Sequence, residues 1–166
     1  DYDSLDWLRS ILGYLPKSIS VETEKALVAA VLDSNLERAT QAIARDCLRK
    51  INTPQALHEI LNGIENANGK ADMLMDLLTQ KLRLAQHPDF ATTILARAKH
   101  WLTQSTSPEQ LTNAIEIFES VEPQHVPIDR IIQLAGAVET EAPIKALALT
   151  LAQNVEPTHA RLSDIV

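Results

Sequence analysis

Histidine is the residue of this chain best suited to metal chemistry, because a neutral imidazole nitrogen is a common zinc ligand. The nearest approach to a ligand pattern is the run from His58 to Asn62, since a zinc protease helix carries a second histidine one turn after the first. Asn62 stands at that second position, and an amide is a poor zinc ligand. We therefore predict no metal ion, no cofactor, and an exposed His58 beside Glu59. No two of the histidines have a tight metal-binding spacing; they are His58, His87, His100, His125 and His159.

Paired carboxylates are the second group of residues that could do chemistry, as a general acid and a general base. Asp72 and Asp76 lie one turn apart on a predicted helix, and Glu116 and Glu119 are separated by three residues. Each pair shares a helix face, but acid–base catalysis requires burial that moves the two pKa values apart. Such pairs are usually solvated, and we interpret both as surface residues.

Nucleophilic and phosphate-binding chemistry has no better support. The four glycines are isolated from one another, so the chain has no glycine-rich phosphate loop, and no strand-turn-helix elbow presents a nucleophilic serine. The single cysteine, Cys47, falls among apolar helix positions, where a free thiol acts as a small hydrophobic side chain. We therefore predict that this segment is not an enzyme.

Composition predicts an all-α protein. A chain of 166 residues is long enough to bury a core without disulfides or metal, and 4% aromatic residues with only four glycines favour helix over sheet. The formal charge of -7 opposes binding to nucleic acid or to an anionic membrane, because those partners attract clustered Lys and Arg. No run approaches the roughly 18 apolar residues of a membrane span, so we predict no membrane insertion.

Capping residues and prolines divide the chain into helices. A Ser, Thr or Asn side chain accepts a hydrogen bond from a free amide at a helix start, and a proline just after it occupies a position that needs no amide donor. Such starts are predicted at Ser20, Asn35, Thr53 and Ser107. Ser107 and Gln110 also have the spacing of a capping box, in which the Gln side chain reaches back to the capping residue.

These helices form three sets in one predicted domain that covers residues 1–166. The domain comprises a terminal helix at 4–14 and helix sets at about 20–68, 70–122 and 127–166. Individual helices are predicted at about 36–50, 70–86, 127–138 and 143–154, with a stub from 158 to the end.

The first two sets share a spacing of 54 residues, because Thr53-Pro54 recurs as Ser107-Pro108. This interval fits three helices and exceeds the ~34 residues of tetratricopeptide units and the ~40 to 47 of HEAT or armadillo units. In general plan the chain resembles armadillo-like and HEAT-like α-solenoids, whose helices stack along a spiral. It carries the residue signature of neither family. The alternative fold is an irregular helical bundle whose helices merely have similar lengths.

Polar residues are predicted on the outer face of the third helix in each of these two sets. The candidate partner-binding residues are His58, Glu59, Asn62 and Asn66 in the first set, with Asn113 and Glu116 in the second. The third helix lines the concave side of armadillo-like stacks, so the resemblance implies a groove that accepts a basic or extended segment of a partner. Asparagine side chains can bond an extended backbone, because each amide both donates and accepts.

We therefore predict a non-catalytic interaction module that binds another protein or another domain of its own chain. The alternative is a helical accessory or regulatory domain of a larger multidomain enzyme. A lone cysteine suits the cytoplasm, which we take as the compartment. The first residue is Asp1 and not Met, so we expect the chain to be a piece of a longer protein or a processed form.

Overall fold

The computed structural model of the chain describes residues 20–51, 53–67, 71–83, 88–162 and 165. Within these ranges the chain forms eight α-helices, one short 3-10 helix at Pro123–His125 and no strand, which confirms the all-α prediction. The α-helices are α1 (Val21–Leu32), α2 (Arg38–Lys50), α3 (Pro54–Asn66), α4 (Asp72–Arg83), α5 (Pro88–Gln104), α6 (Pro108–Glu119), α7 (Ile128–Gly136) and α8 (Ala142–Val155). The terminal helix predicted at 4–14 lies outside the described residues.

Three of the predicted helix starts are confirmed by hydrogen bonds. The Thr23 amide donates to Ser20 Oγ at 3.3 Å at the start of α1. The Ala56 amide donates to Thr53 Oγ1 at 3.1 Å at the start of α3, and α6 begins in the same way at Ser107. Both α3 and α6 carry proline in the first turn, where its missing amide removes no helical bond.

The predicted start of the second helix at Asn35 is wrong. The α2 helix begins at Arg38 with Glu37 as its N-cap, and the Glu37 side chain forms no capping bond. Asn35 instead donates from its backbone amide and its side chain to Asp33 Oδ1, at 2.9 and 3.0 Å. Because Asp33 engages Asn35 in a local turn, the chain uses more residues before the helix can start.

The capping box at the start of α6 is relayed through a third residue. The Gln110 amide donates to Ser107 Oγ at 3.4 Å, as predicted. The Ser107 amide, however, donates to Ser105 Oγ at 3.0 Å, and that hydroxyl donates to Gln110 Oε1 at 2.6 Å. Gln110 therefore supports the cap through Ser105 and not by bonding the Ser107 amide directly.

The later helix bounds differ from prediction by a few residues. The α4 helix spans Asp72–Arg83 where 70–86 was predicted, and α7 ends at Gly136 and not at 138. The α7 helix ends there because the backbone of Ala137 is extended; the Ala137 amide makes the last helical bond, to the Gln133 carbonyl. A stub was predicted from 158 to the end, and the described residues of this segment form turns up to a single 3-10 residue at Leu162.

The chain comprises two compact units, Asp1–Lys81 and Leu82–Val166. In the first unit, α1 packs against both α2 and α3. In the second, α5 packs against α6 and α7 packs against α8, while α5 also contacts α7 and α6 also contacts α8. Fully buried apolar side chains form each core, among them Leu48, Ile60, Leu61 and Leu74 in the first unit and Leu102, Ile115, Phe118 and Ile131 in the second. That residues 1–166 form one repeat domain stays a prediction.

Gly63 lies where α3 approaches its neighbours most closely. A Cβ atom added at Gly63 would overlap Val28 Cγ1 on α1 and would lie 3.0 Å from Leu74 Cδ1 on α4. Valine is stiff at χ1, so the Val28 methyl group cannot easily move aside. The first core therefore depends on the absence of a side chain at position 63.

We expect Gly63→Ala to lower the free energy of unfolding by about 1 to 2 kcal/mol, because overpacking costs ~1–3 kcal/mol and the better helix propensity of alanine offsets up to ~1. Urea denaturation followed by circular dichroism measures this difference. Gly136→Ala is the control, since a Cβ atom there would lie 3.4 Å from Ile165 Cδ1, an ordinary contact. A Gly63→Ala variant as stable as the Gly136→Ala variant would contradict this account of the packing.

Candidate functional site

The predicted partner-binding residues of α3 do not all lie on one exposed face. His58 and Asn66 are exposed and Asn62 is half-buried. The Asn66 side chain donates from Nδ2 to the Asn62 carbonyl at 2.8 Å, which turns that amide back along the helix. These three residues, which we call the α3 strip, remain available at the surface.

Glu59 was predicted to be exposed, and this prediction is wrong. Its side chain is only 7% exposed, and Oε1 accepts a hydrogen bond of 2.7 Å from Gln55 Nε2. The buried face of α3 is wider than the stripe of large apolar residues, because the small residues Ala56 and Gly63 bring that side of the helix close to its neighbours. Glu59 follows Ala56 by three residues and therefore lies on the same side.

The corresponding residues of α6 belong to the second unit. Asn113 and Glu116 are both half-buried. Ser120 donates from its hydroxyl to the Glu116 carbonyl at 2.9 Å, so the end of this face is also bonded along its own helix. Each unit thus carries its own polar face, and the α6 face is the less exposed of the two.

The buried polar side chains were missed by sequence reasoning, and most of them hold helix ends. Four polar residues of the described chain are buried: Glu24, Gln41, Glu59 and Lys81. Lys81 Nζ on α4 donates to the carbonyls of Ile51 and Arg49, at 2.6 and 3.3 Å, where α2 ends. A cation is favoured there, because the last carbonyls of a helix lack amide partners and carry the negative end of the helix dipole.

Glu24 on α1 acts at the start of α3. Its Oε1 atom accepts a hydrogen bond of 2.6 Å from Thr53 Oγ1, the same hydroxyl that caps α3. The side chain is 1% exposed, and its second oxygen, Oε2, has no hydrogen-bond partner within the described part of the chain. A carboxylate is favoured beside a helix N-terminus for the same electrostatic reason that favours a cation at the other end.

Two further side chains bond the ends of helices. Gln41 Nε2 donates to the Asp33 carbonyl at 2.7 Å, at the end of α1. In the second unit, Arg130 Nε on α7 donates to the Leu102 carbonyl at 2.8 Å, in the last turn of α5. These bonds satisfy backbone groups that would otherwise be costly to bury.

The sequence did contain a signal for two of these residues. Lys81 follows Leu74 and Leu78 at helical spacing, and Glu24 precedes Val28 in the same way, so each charge stands in an apolar stripe. A charged residue in such a stripe is expected to be buried with a partner. The partner itself is a helix end distant in sequence, which spacing alone cannot identify.

The reactive groups are therefore engaged in structure or exposed on the surface. Cys47 is buried, as predicted, and its thiol donates to the Ile43 carbonyl at 2.9 Å. Burial raises the pKa of this thiol above its ordinary value of 9.0, which disfavours the nucleophilic thiolate. Asp72 and Asp76 are both exposed, as interpreted from the sequence.

The described residues also bear on metal binding and on membrane insertion. In those ranges no group of three His, Cys, Asp or Glu side chains is placed to hold a metal ion. Across the same ranges, every helix is too short or too polar to cross a membrane.

No family model, curated protein or solved structure matches this chain.

Lys81 gives the first unit a specific pH dependence. Burial lowers the pKa of Lys81 from 10.5 to about 8, because the charged ammonium loses its hydration. Between these two values the unfolded chain holds a proton that the folded chain has released, so this residue makes folding more favourable as pH rises. Below about pH 8 both states are protonated and the contribution is constant.

We expect the stability difference between the native chain and Lys81→Met to change in favour of the native chain between pH 8 and 10.5, by on the order of 1 to 2 kcal/mol once solvent screening is allowed for. Urea denaturation of both proteins at pH 7, 8, 9 and 10.5 measures it. All other titrations cancel in the difference, and the constant cost of leaving the Ile51 carbonyl without its partner does not affect the slope. A difference that stays flat or falls over this range would contradict the account of Lys81.

Proposed function

We propose that this chain is a non-catalytic interaction module that binds an extended segment of another protein or of another domain of its own chain. The observation that carries the proposal is the use of its titratable groups. Lys81 and Glu24 are bonded to helix ends, and Cys47 is bonded to the turn before it. With these groups committed to structure, the surface residues with free bonding capacity include the imidazole and amides of the α3 strip.

We further propose that the helices stack in the manner of an α-solenoid. The support comes from contacts, within each unit, between helices that are two apart in the chain. They join α1 to α3, α5 to α7 and α6 to α8, and Lys81 links α4 to the end of α2. Contacts between helices two apart, found within each unit, are expected of stacked helix pairs.

The α3 strip suits an extended polypeptide better than a compact ligand. His58 and Asn66 are separated by eight residues, which is about 12 Å along a helix at ~1.5 Å per residue. That length matches three or four residues of extended chain at ~3.3 Å each. The His58 imidazole and the Asn62 and Asn66 amides can bond the peptide groups of such a segment, so we assign binding to these three residues together.

The proposal is tested by capturing partners with the immobilised full chain and with two matched double variants. His58→Ala with Asn66→Ala removes the exposed ends of the α3 strip, whereas Gln153→Ala with Asn154→Ala removes two exposed amides from α8. We expect the first variant to capture about tenfold less of the partner protein, because two or three surface hydrogen bonds are lost. The second variant should capture as much as the native chain. Quantitative mass spectrometry of the bound fraction provides the measurement.

Thermal denaturation of the three proteins provides the control, since exposed helix residues should change stability little. Equal capture by all three proteins, or no specific capture by the native chain, would refute the assignment of the α3 strip as the binding surface.

A further inference from the structure

The second unit carries an open cleft of about 420 Å³ beside the end of α7 and the turns that follow α8. Such a volume lies in the lower part of the ~300–1,000 Å³ range of ligand pockets. The described residues that line it include Ile132, Gly136, Ala137, Glu139, Arg161 and Ile165. Next to the lining residues Ala137 and Glu139, Val138 has a side chain that is 91% exposed. The cleft thus combines an apolar floor with an unusually exposed aliphatic side chain at its edge.

Gly136 lines the cleft without a side chain. Neither the backbone nor the packing requires glycine here, because its φ angle lies outside the left-handed region and a Cβ atom would make only ordinary contacts with Ile165. Gly63 differs, because the first core has no room for a side chain there. A side chain at position 136 would occupy the cleft and leave the core as it is.

Opposite charges lie among the residues that form this cleft. Glu139 precedes α8, and Arg161 lies in the turns that follow α8; both are exposed. Neither side chain forms a hydrogen bond or an ion pair within the described ranges, and Gln133 is already engaged through Oε1 by Arg130. Unpaired charges around an apolar floor favour a ligand that carries the complementary charges on either side of an apolar group.

We propose that this cleft binds an extended peptide segment of a partner protein, in which an aliphatic side chain is flanked by one basic and one acidic residue. The aliphatic side chain covers the half-buried Ala137 in the cleft and the exposed Val138 beside it, which removes apolar surface from water. The basic residue pairs with Glu139 and the acidic residue with Arg161. This site shares with the proposed function the binding of a polypeptide, but it uses none of the α3 strip.

The test is an NMR titration of the isotope-labelled full chain with three capped pentapeptides. Their sequences are Lys-Ala-Leu-Ala-Glu, Lys-Ala-Leu-Ala-Lys and Glu-Ala-Leu-Ala-Glu. We expect the first peptide to shift the amide signals of Gly136, Val138 and Glu139 and to bind about threefold more tightly than the other two, as expected for one exposed ion pair. Absence of shifts at these residues, or equal affinity for all three peptides, would overturn the proposal.

Two variants make the test specific. Arg161→Glu makes the cleft doubly acidic, so the peptide with two lysines should become the tightest binder. Gly136→Leu fills the cleft and should abolish the shifts while the melting temperature stays within a few degrees of native. If the three peptides keep the same order of affinity for Arg161→Glu, the role of charge is refuted. If Gly136→Leu does not fold, the result for Arg161→Glu alone tests the proposed site. The His58→Ala and Asn66→Ala double variant should bind the peptide normally, which separates this site from the α3 strip.

Discussion

The rest of this structure depends on one constraint: the backbone amides and carbonyls at the ends of its helices need hydrogen-bond partners, and the connections between helices are short. Each helix leaves amides at its start and carbonyls at its end without partners, and burying such groups unpaired is costly. Here side chains from other helices supply the bonds, as Lys81 does for the end of α2, Glu24 with Thr53 for the start of α3, and Arg130 for the end of α5. In each case the donor or acceptor stands on the second helix before or after the end that it holds. For Glu24 and Arg130, the polar bond and the packing of helices therefore join the same pair of helices.

This use of charged residues bears directly on function. A buried amine of lowered pKa and a buried carboxylate would ordinarily be candidates for catalysis. In this chain the Lys81 ammonium points at two carbonyls and the Glu24 carboxylate accepts a hydrogen bond from a capping hydroxyl, so both have structural partners. Polar groups with capacity to bind a ligand lie instead on exposed helix faces and at the cleft of the second unit, where we propose that another polypeptide binds.

Much of the fold could be predicted from local rules, because helix starts depend on residues only a few positions apart. Ser20, Thr53 and Ser107 cap helices where their spacing to the following amide predicts it. Asn35 does not cap a helix, because its backbone amide and its side chain both donate to Asp33 Oδ1. The burial of Glu59 could not be predicted from its own helix, since it depends on how closely other helices approach. Candidate sites were harder to predict than helix starts, because the exposure of a side chain depends on tertiary packing.

The most direct test of this account is a double-mutant cycle between Glu24 and Thr53, which are 29 residues apart in sequence. Free energies of unfolding of Glu24→Ala, Thr53→Ala and the double variant give the coupling energy, and the same cycle between Glu24 and Ser107 is the control. If a side chain on one helix bonds the end of another, the coupling energy of the first pair is about 1 kcal/mol or more. The control pair should be additive within ~0.5 kcal/mol. Additivity in both cycles would contradict the claim that side chains from other helices hold these helix ends.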